Sequence, residues 1–390
     1  MDGTRFIVAG RFIDGSGADV RRNVFLAVKD GFITAIGPAA DLSGNDEAAV
    51  DNFSHCTILP PLVDCSLSLV QSPSVDNRVR LSSEEADPAQ KKEMLERHLE
   101  DCHAHGVLGV ADGNDRTGLV KWYQQQAGPG GSVEIWTSGK LSWNGNGETG
   151  SPAGGDFLKV RYSSDIEAED SPDPRLTHEE LCRIVQRRNE KKAVVVANGP
   201  RQVKEAIEAG CDAIEQGYAM GEDNLRQMAK KNVLWIPSVL RARNALDGAG
   251  SGGEVCCRFS LRYVAPGKPI PGAEAYWKKM LIRQLSQLRL ARKLGVPTAV
   301  GTGAGSVGIL HGESMVEEMK LFIKAGFSVE EAIHCGSEAG ARFFGMKKLG
   351  TLAVGRPATF LMTRGTVNQL PRKLAYLENI YIDGTPSVEY

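Results

Sequence analysis

The run VVVANGPRQVKEAIEAGCDAIEQGYAMGEDNLRQMAKKNVLWIPSV, residues 194–239, decides the architecture. Strand-like and helix-like segments alternate through it: AVVVAN (193–198), PRQVKEAIEAG (200–210), DAIEQG (212–217), GEDNLRQMAKKN (221–232) and VLWIPS (233–238). Alternation of this kind builds a parallel sheet flanked by helices. The same rhythm extends outward. LVDCSL (62–67), GVLGVAD (106–112), VEIWTS (133–138) and FLKV (157–160) precede it, and TAVGTG (298–303) follows. Further helical patterns fill 175–192, where Thr177 and Glu180 make a capping box, and 275–295. Eight strands with intervening helices is the count of a closed β/α barrel. An open parallel sheet is the rival, but no GxGxxG follows the first strand, so its dinucleotide-binding version lacks support.

The two ends of the chain read differently. Residues 5–37 are short strands, with KDG at 29–31 as a tight-turn signal. TLAVGRPATFLMTRG and LAYLENIYIDG return to that style near the C-terminus. The expectation is an α/β protein: a (β/α)8 TIM barrel over 60–345, and a small β-sandwich domain formed by 1–59 together with 346–390. Two turn-rich stretches, 139–156 and 240–274, follow strands and so belong to the C-terminal mouth of the barrel, where loops shape pockets.

Composition narrows the function classes. A formal net charge of -2 over 390 residues gives no concentrated basic field for nucleic acid. No apolar run reaches the length of a transmembrane helix, and MDGTRFIVAG lacks the basic and apolar regions of a signal peptide. A cytoplasmic location is the default expectation. The eight cysteines form no CxxC and read as fillers of a reduced protein. Cys256 and Cys257, adjacent in a glycine-rich region, are the more exposed candidates.

Polar residues ending barrel strands are the functional positions of this architecture. In order they are Asp64, Ser66 and Ser68, Asp112, Ser138, Lys159, Asn198, Gln216, Ser238 and Gly303. This ring contains no histidine. Zinc needs several nitrogen, sulfur or carboxylate ligands converging on one point, and hydroxyls and amides substitute poorly. His103 and His105 in DCHAHG have a two-ligand spacing, but they end a helical pattern on the rim opposite the mouth. Lys159 finds its ion-pair partners in Asp112 and Asp64. His311, in LHGES, is the one histidine near the mouth, and no nucleophile elbow surrounds nearby Ser306.

Several segments together resemble the amidohydrolase superfamily, in its imidazolonepropionase-like and prolidase-like branch. They are VKDGFITAIGP, ILPPLVDCSLS, GVLGVAD, the run 194–239, GVPTAVGTGAG, HGESMVEEMKLFIKAGFSVEEAIHCGSEAGARFFGM and LGTLAVGRPATFLM. The resemblance runs nearly end to end. It implies hydrolysis of C–N and other bonds by one or two divalent ions, zinc or another metal, that activate water. It also implies the ligand positions, and most are substituted. The first-strand histidines fall on Ser66 and Ser68, and the bridging carboxylated lysine falls on Lys159, which is retained. The histidines of the fifth and sixth strands fall on Asn198 and Gln216, and the metal-binding aspartate falls on Gly303. The aspartate of the family's GxxADL stretch falls on Thr359, in the terminal β domain. No metal or other cofactor is therefore expected.

Two readings follow. In the first, the chain lacks metal-dependent hydrolase activity and serves as a scaffold or partner subunit, in a homo-oligomer or beside an active paralogous subunit, or binds a small polar ligand in the mouth. In the second, it hydrolyses amides or cyclic amides through an atypical site centred on Lys159, with Asp112 and His311 as helpers, or through a rearranged metal site.

Overall fold

The computed structural model describes residues 3–42, 50–128, 131–143, 148–150, 154–163, 176–250 and 272–387. The first strands, β1 (Arg5–Phe12), β2 (Arg21–Lys29), β3 (Phe32–Pro38) and β4 (Val50–Leu59), precede the barrel. The barrel opens with β5 (Leu62–Leu67), α1 (Asn77–Glu85), α2 (Pro88–Ala104), β6 (Val107–Asp112), α3 (Leu119–Ala127) and β7 (Glu134–Thr137). A hairpin, β8 (Leu141–Trp143) and β9 (Glu148–Gly150), leads to β10 (Leu158–Arg161). Next come α4 (His178–Gln186), β11 (Ala193–Ala197), α5 (Pro200–Glu208), β12 (Ala213–Gln216), α6 (Glu222–Lys231) and β13 (Leu234–Ile236). Five helices follow: α7 (Val239–Gly250), α8 (Ala273–Leu294), α9 (Ser314–Lys324), α10 (Val329–Cys335) and α11 (Glu338–Phe344). The chain returns through β14 (Phe360–Arg364), β15 (Leu377–Ile382) and β16 (Thr385–Pro386).

The barrel strands are largely apolar and buried on both faces. β5, β6, β11 and β12 are buried at every position, as strands covered by helices outside and packed side chains inside must be. β5, β6 and β7 pair in parallel, and so do β10, β11, β12 and β13. The backbone of TAVGTG joins the two sheets. Trp235 N–H donates to Pro297 O and Ala299 N–H to Trp235 O on one side, while Cys65 N–H donates to Val300 O and Gly303 N–H to Ser66 O on the other. On the far side, Asp156 N–H donates to Thr137 O, 2.6 Å away. The stretch 139–156, turn-rich in sequence, contributes the β8–β9 hairpin, and β9 pairs antiparallel with β10.

Helix punctuation follows the sequence. Thr177 and Glu180 make the expected capping box on α4, and Pro200 opens α5. α5 presents Val203, Ala206 and Ile207, spaced three and four apart, to the barrel wall. Full burial of each larger side chain stabilises by about 1.5–3 kcal/mol, and truncating Ile207 to alanine costs about 2–5 kcal/mol. Strands from both ends of the chain share one seven-stranded mixed sheet in the order β16-β15-β14-β4-β1-β2-β3. It carries its own core, with Ile7, Leu26, Ile58, Phe360 and Tyr381 fully or almost fully buried, and forms a β-sandwich-like cap on the barrel. Among the described residues, no helix is long and apolar enough to cross a membrane.

Candidate functional site

Several of the polar strand-end side chains are engaged in hydrogen bonds and an ion pair. Lys159 extends from β10 into the barrel, over Gly113, whose lack of a side chain makes the room. A Cβ there would stand 2.3 Å from Lys159 Cδ and 2.8 Å from Nζ. The Lys159 ammonium lies 2.8 Å from Glu215 Oε2 and donates to Oε1 at 3.1 Å, and both side chains are under a tenth exposed. Ser66 Oγ donates to Glu215 Oε1 at 2.8 Å. One carboxylate thus ties β5, β10 and β12 together through the barrel interior. This corrects the expected pairing, since Asp64 and Asp112 are not the residues that bond Lys159.

Those two carboxyls are held by backbone instead. Asp64 accepts from Ser66 N–H and from the N–H and hydroxyl of Thr302. Asp112 accepts from Leu69 N–H and Asn114 N–H. Complete burial pushes Asp64 up to about 6 and Asp112 up to about 7, against the opposing pull of those hydrogen bonds.

Asn198 and Gln216 close on each other. Asn198 Nδ2 donates to Gln216 Oε1 at 2.7 Å, and Tyr218 N–H donates to Asn198 Oδ1 at 2.9 Å. Gln216 ends its strand at φ +69°, and Ser238, just beyond β13, sits at φ +45°. Both are left-handed conformations that residues other than glycine seldom adopt, and such positions cluster at functional sites. Gly303 has φ +74°, and the aliphatic part of Arg241 lies over it: a Cβ on Gly303 would be 3.2 Å from Arg241 Cδ. Arg241 is placed by the first turn of α7, whose leading N–H groups, Val239 and Leu240, donate to the Glu318 carboxylate at 2.8 and 2.6 Å. Full burial pushes Glu318 up to about 8.

His311 is buried beneath the mouth. Its Nε2 is 2.9 Å from Ser68 O, and its ring stacks on His98 of α2 with centroids 3.8 Å apart. Burial holds His98 down to about 4 and His311 well below the usual histidine range. The two imidazoles form a buried stacked pair, one bonded to Ser68 O and the other to Leu69 O. His103 and His105 lie at the end of α2, bonded to Ser387 Oγ and Asp101 O. Ser138 Oγ reaches Gly139 O at 3.5 Å. Thr359 bonds Asp383 within the cap. Cys256 and Cys257, and most of the 240–274 loop, lie outside the described residues.

Residues 155–385 match the model of the Amidohydrolase family. The chain belongs to that family. Its fold is similar to that of solved members over nearly the whole length. A Xaa-Pro dipeptidase with bound methionine in its active site superposes with a TM-score of 0.81 at 19% identity, covering 99% of this chain and 100% of that one. The ochratoxinase of A. niger gives 0.75 at 17% identity, with 98% and 95% covered. Molinate hydrolase gives 0.76 at 16%, with 99% and 95% covered. By sequence, an uncharacterized protein of Mycobacterium tuberculosis is 27% identical over 139 residues, 36% of this chain. That match spans a third of the relative's own length, 33%.

The family's chemistry implies a divalent ion at this mouth, and the residues present do not fit one. The six corresponding positions offer two hydroxyls, two amides bonded to each other, an ammonium in an ion pair, and a glycine. Among the described residues, no three of histidine, cysteine, aspartate and glutamate are grouped as a metal would require. Sequence reasoning missed Glu215, Glu318, His98 and Arg241. Glu215 alone carried a plain signal, as a charged residue inside the apolar strand AIEQ.

Proposed function

We propose that this member of the amidohydrolase family does not carry out metal-dependent hydrolysis, and that its mouth is a metal-independent pocket for a small polar ligand. The observation that carries this reading is the Lys159–Glu215 ion pair, with Ser66 on the same carboxylate. A lysine whose ammonium is committed to a carboxylate is not the bridging ligand of two metal ions. It is equally ill-suited as a nucleophile, which requires a free amine. The alternative, a Lys159-centred hydrolase of amides, is disfavoured by the same contact. Asp112 and His311 do not bond Lys159, and His311 stacks with another imidazole. Without an activating ion or a disengaged base, water at the mouth stays a poor nucleophile.

The described strands around the mouth are packed, α2, α4 and α10 carry capping boxes, and strands from both chain ends share one sheet. A folded pocket without its metal chemistry suits ligand binding, or a supporting role in a homo-oligomer or beside a catalytically intact paralogue. The test is elemental analysis of untagged protein produced in medium supplemented with zinc, manganese and iron. A hydrolysis screen accompanies it, including a Xaa-Pro dipeptide and molinate, the compounds named for similar structures. Metal far below one ion per chain and no turnover are expected. A stoichiometric ion whose removal abolishes hydrolysis overturns the reading.

A further inference from the structure

A second cavity lies at the other end of the barrel, beside the cap. Its volume is about 1010 Å³, at the upper end of the roughly 300–1,000 Å³ typical of small-molecule sites. Its walls come from α2, the start of β6, the second half of α3, the start of β7, the turn after α11 and the cap. Leu108 and Glu134 stand at the second and first positions of their strands, whereas the mouth is built at the strand ends. At about 3.3 Å per residue, the span from Leu108 to Asp112 sets the cavity about 13 Å from the mouth. Its base is apolar, with Leu108, Val133, Ile135 and Leu349 all buried. Tyr123 of α3 and Trp136 of β7 add two half-buried rings.

The charges on these walls divide into those already matched and those that are not. Glu96 is paired with Lys92 at 2.7 Å and Asp156 with Lys121 at 2.8 Å, and Asp383 bonds Thr359. Glu100 and Glu134 make no ion pair among the described residues. Glu134 accepts instead from Trp136 Nε1 at 2.9 Å, a neutral donor that fixes the carboxylate beside the indole without cancelling its charge. Glu100 follows Glu96 by one helical turn on α2, a like-charge spacing that disfavours the helix. Burial pushes the Tyr123 phenol up, and the charges of Glu96 and Glu100 add to it, which places both carboxylates near that ring. Lys347 and Lys348, on the turn after α11, are exposed, and a long lysine side chain at a rim extends its ammonium into water. The charge beside the two rings is therefore negative. Carboxylates and aromatic faces together attract an ammonium, the first by charge-assisted hydrogen bonds and the second through the ring quadrupole.

We propose that this cavity binds a small organic amine, its ammonium taken by Glu100 and Glu134 beside the rings of Tyr123 and Trp136, and its apolar part lying on Leu108, Val133 and Ile135. The site is separate from the mouth, so it stands or falls independently of the metal-independent reading. The test is calorimetric titration of the full chain at neutral pH with cyclohexylamine, phenethylamine and tryptamine, each against the alcohol and the carboxylate of the same skeleton. At least one amine binds about tenfold or more tighter than its alcohol and its acid, which lack the charge-assisted contact. Glu100→Gln combined with Glu134→Gln abolishes that preference in a protein with unchanged circular dichroism. Tyr123→Leu weakens amine binding several-fold, and Lys347→Gln combined with Lys348→Gln leaves the preference in place or raises it. No binding of any of the three amines at millimolar concentration overturns the proposal. So does equal binding of each amine and its alcohol, tighter binding of the acids, or full preference in the folded Glu100→Gln, Glu134→Gln protein.

Discussion

Replacing Lys159 with methionine tests whether the centre of the mouth is a structural ion pair. At 2.8 Å and an effective dielectric constant of about 20, the pair's Coulomb attraction is about 6 kcal/mol, much of it offset by the cost of burying both charges. The net worth of the pair is therefore small, but the cost of breaking it is not. Removing one partner of a buried pair costs about 3–5 kcal/mol, because a bare charge remains. Here Glu215 keeps the hydrogen bond from Ser66, so Lys159→Met is expected at the lower end, about 3 kcal/mol. Adding Glu215→Gln retains the Ser66 bond and removes the stranded charge, so the double variant recovers most of the loss. Urea unfolding of the parent, both single variants and the double variant, followed by fluorescence and circular dichroism together, gives the coupling energy. A Lys159→Met protein within about 0.5 kcal/mol of the parent, or a coupling energy near zero, refutes the pair as a structural element.

Glu318 is pushed from 4.5 up to about 8, so its folded form holds a proton that the unfolded chain releases; the cost appears as pH rises from about 4.5 through 8 and reaches about 5 kcal/mol in order of magnitude. Glu318→Gln is expected to flatten this alkaline loss in urea midpoints measured across that range, and an unchanged slope counts against a protonated Glu318. His98 has the opposite sign: depressed from 6.5 to about 4, it costs nothing at neutral pH, and stability falls by up to about 3 kcal/mol as pH drops between those values. His98→Gln is expected to lower stability at pH 7 yet shrink this acid limb, and a variant with the parent's full acid slope refutes the assignment. A variant with histidine at Ser66, Ser68, Asn198 and Gln216 is expected to bind zinc by calorimetry where the parent does not, while Gly303→Asp added to it meets both a positive φ and the Arg241 side chain and lowers stability. No zinc binding by the folded four-histidine protein shows that these positions do not converge.

Much of the fold was legible because it is written in local signals. The buried runs of β5, β6, β11 and β12, the Thr177–Glu180 cap and Pro200 at the head of α5 each act within a few residues, and the barrel is their sum. The β8–β9 hairpin was not legible, since its stretch GKLSWNGNGETG is dominated by residues that favour turns and owes its strands to pairing with β10. Side-chain partnerships were the harder part. Reading only the residue that ends each strand selects Gln216 and passes over Glu215, one position earlier. Yet Glu215 holds Lys159, while Gln216, at a positive φ, bonds Asn198.

Arg241 was hidden for a different reason. It lies on α7, beyond the strand end, and it reaches Gly303 only because Glu318, nearly eighty positions away in sequence, fixes the start of that helix. Loss of a ligand is visible at one position in a sequence, whereas the group that fills its place depends on contacts between distant segments. Five substituted positions beside the retained Lys159 could therefore be read as departures from the family's ligand set. That their side chains are tied into an ion pair, an amide pair and an arginine-covered glycine could be read only once the strands were placed around a common axis. The proposed metal-independent reading of the mouth depends on those contacts rather than on the substitutions alone.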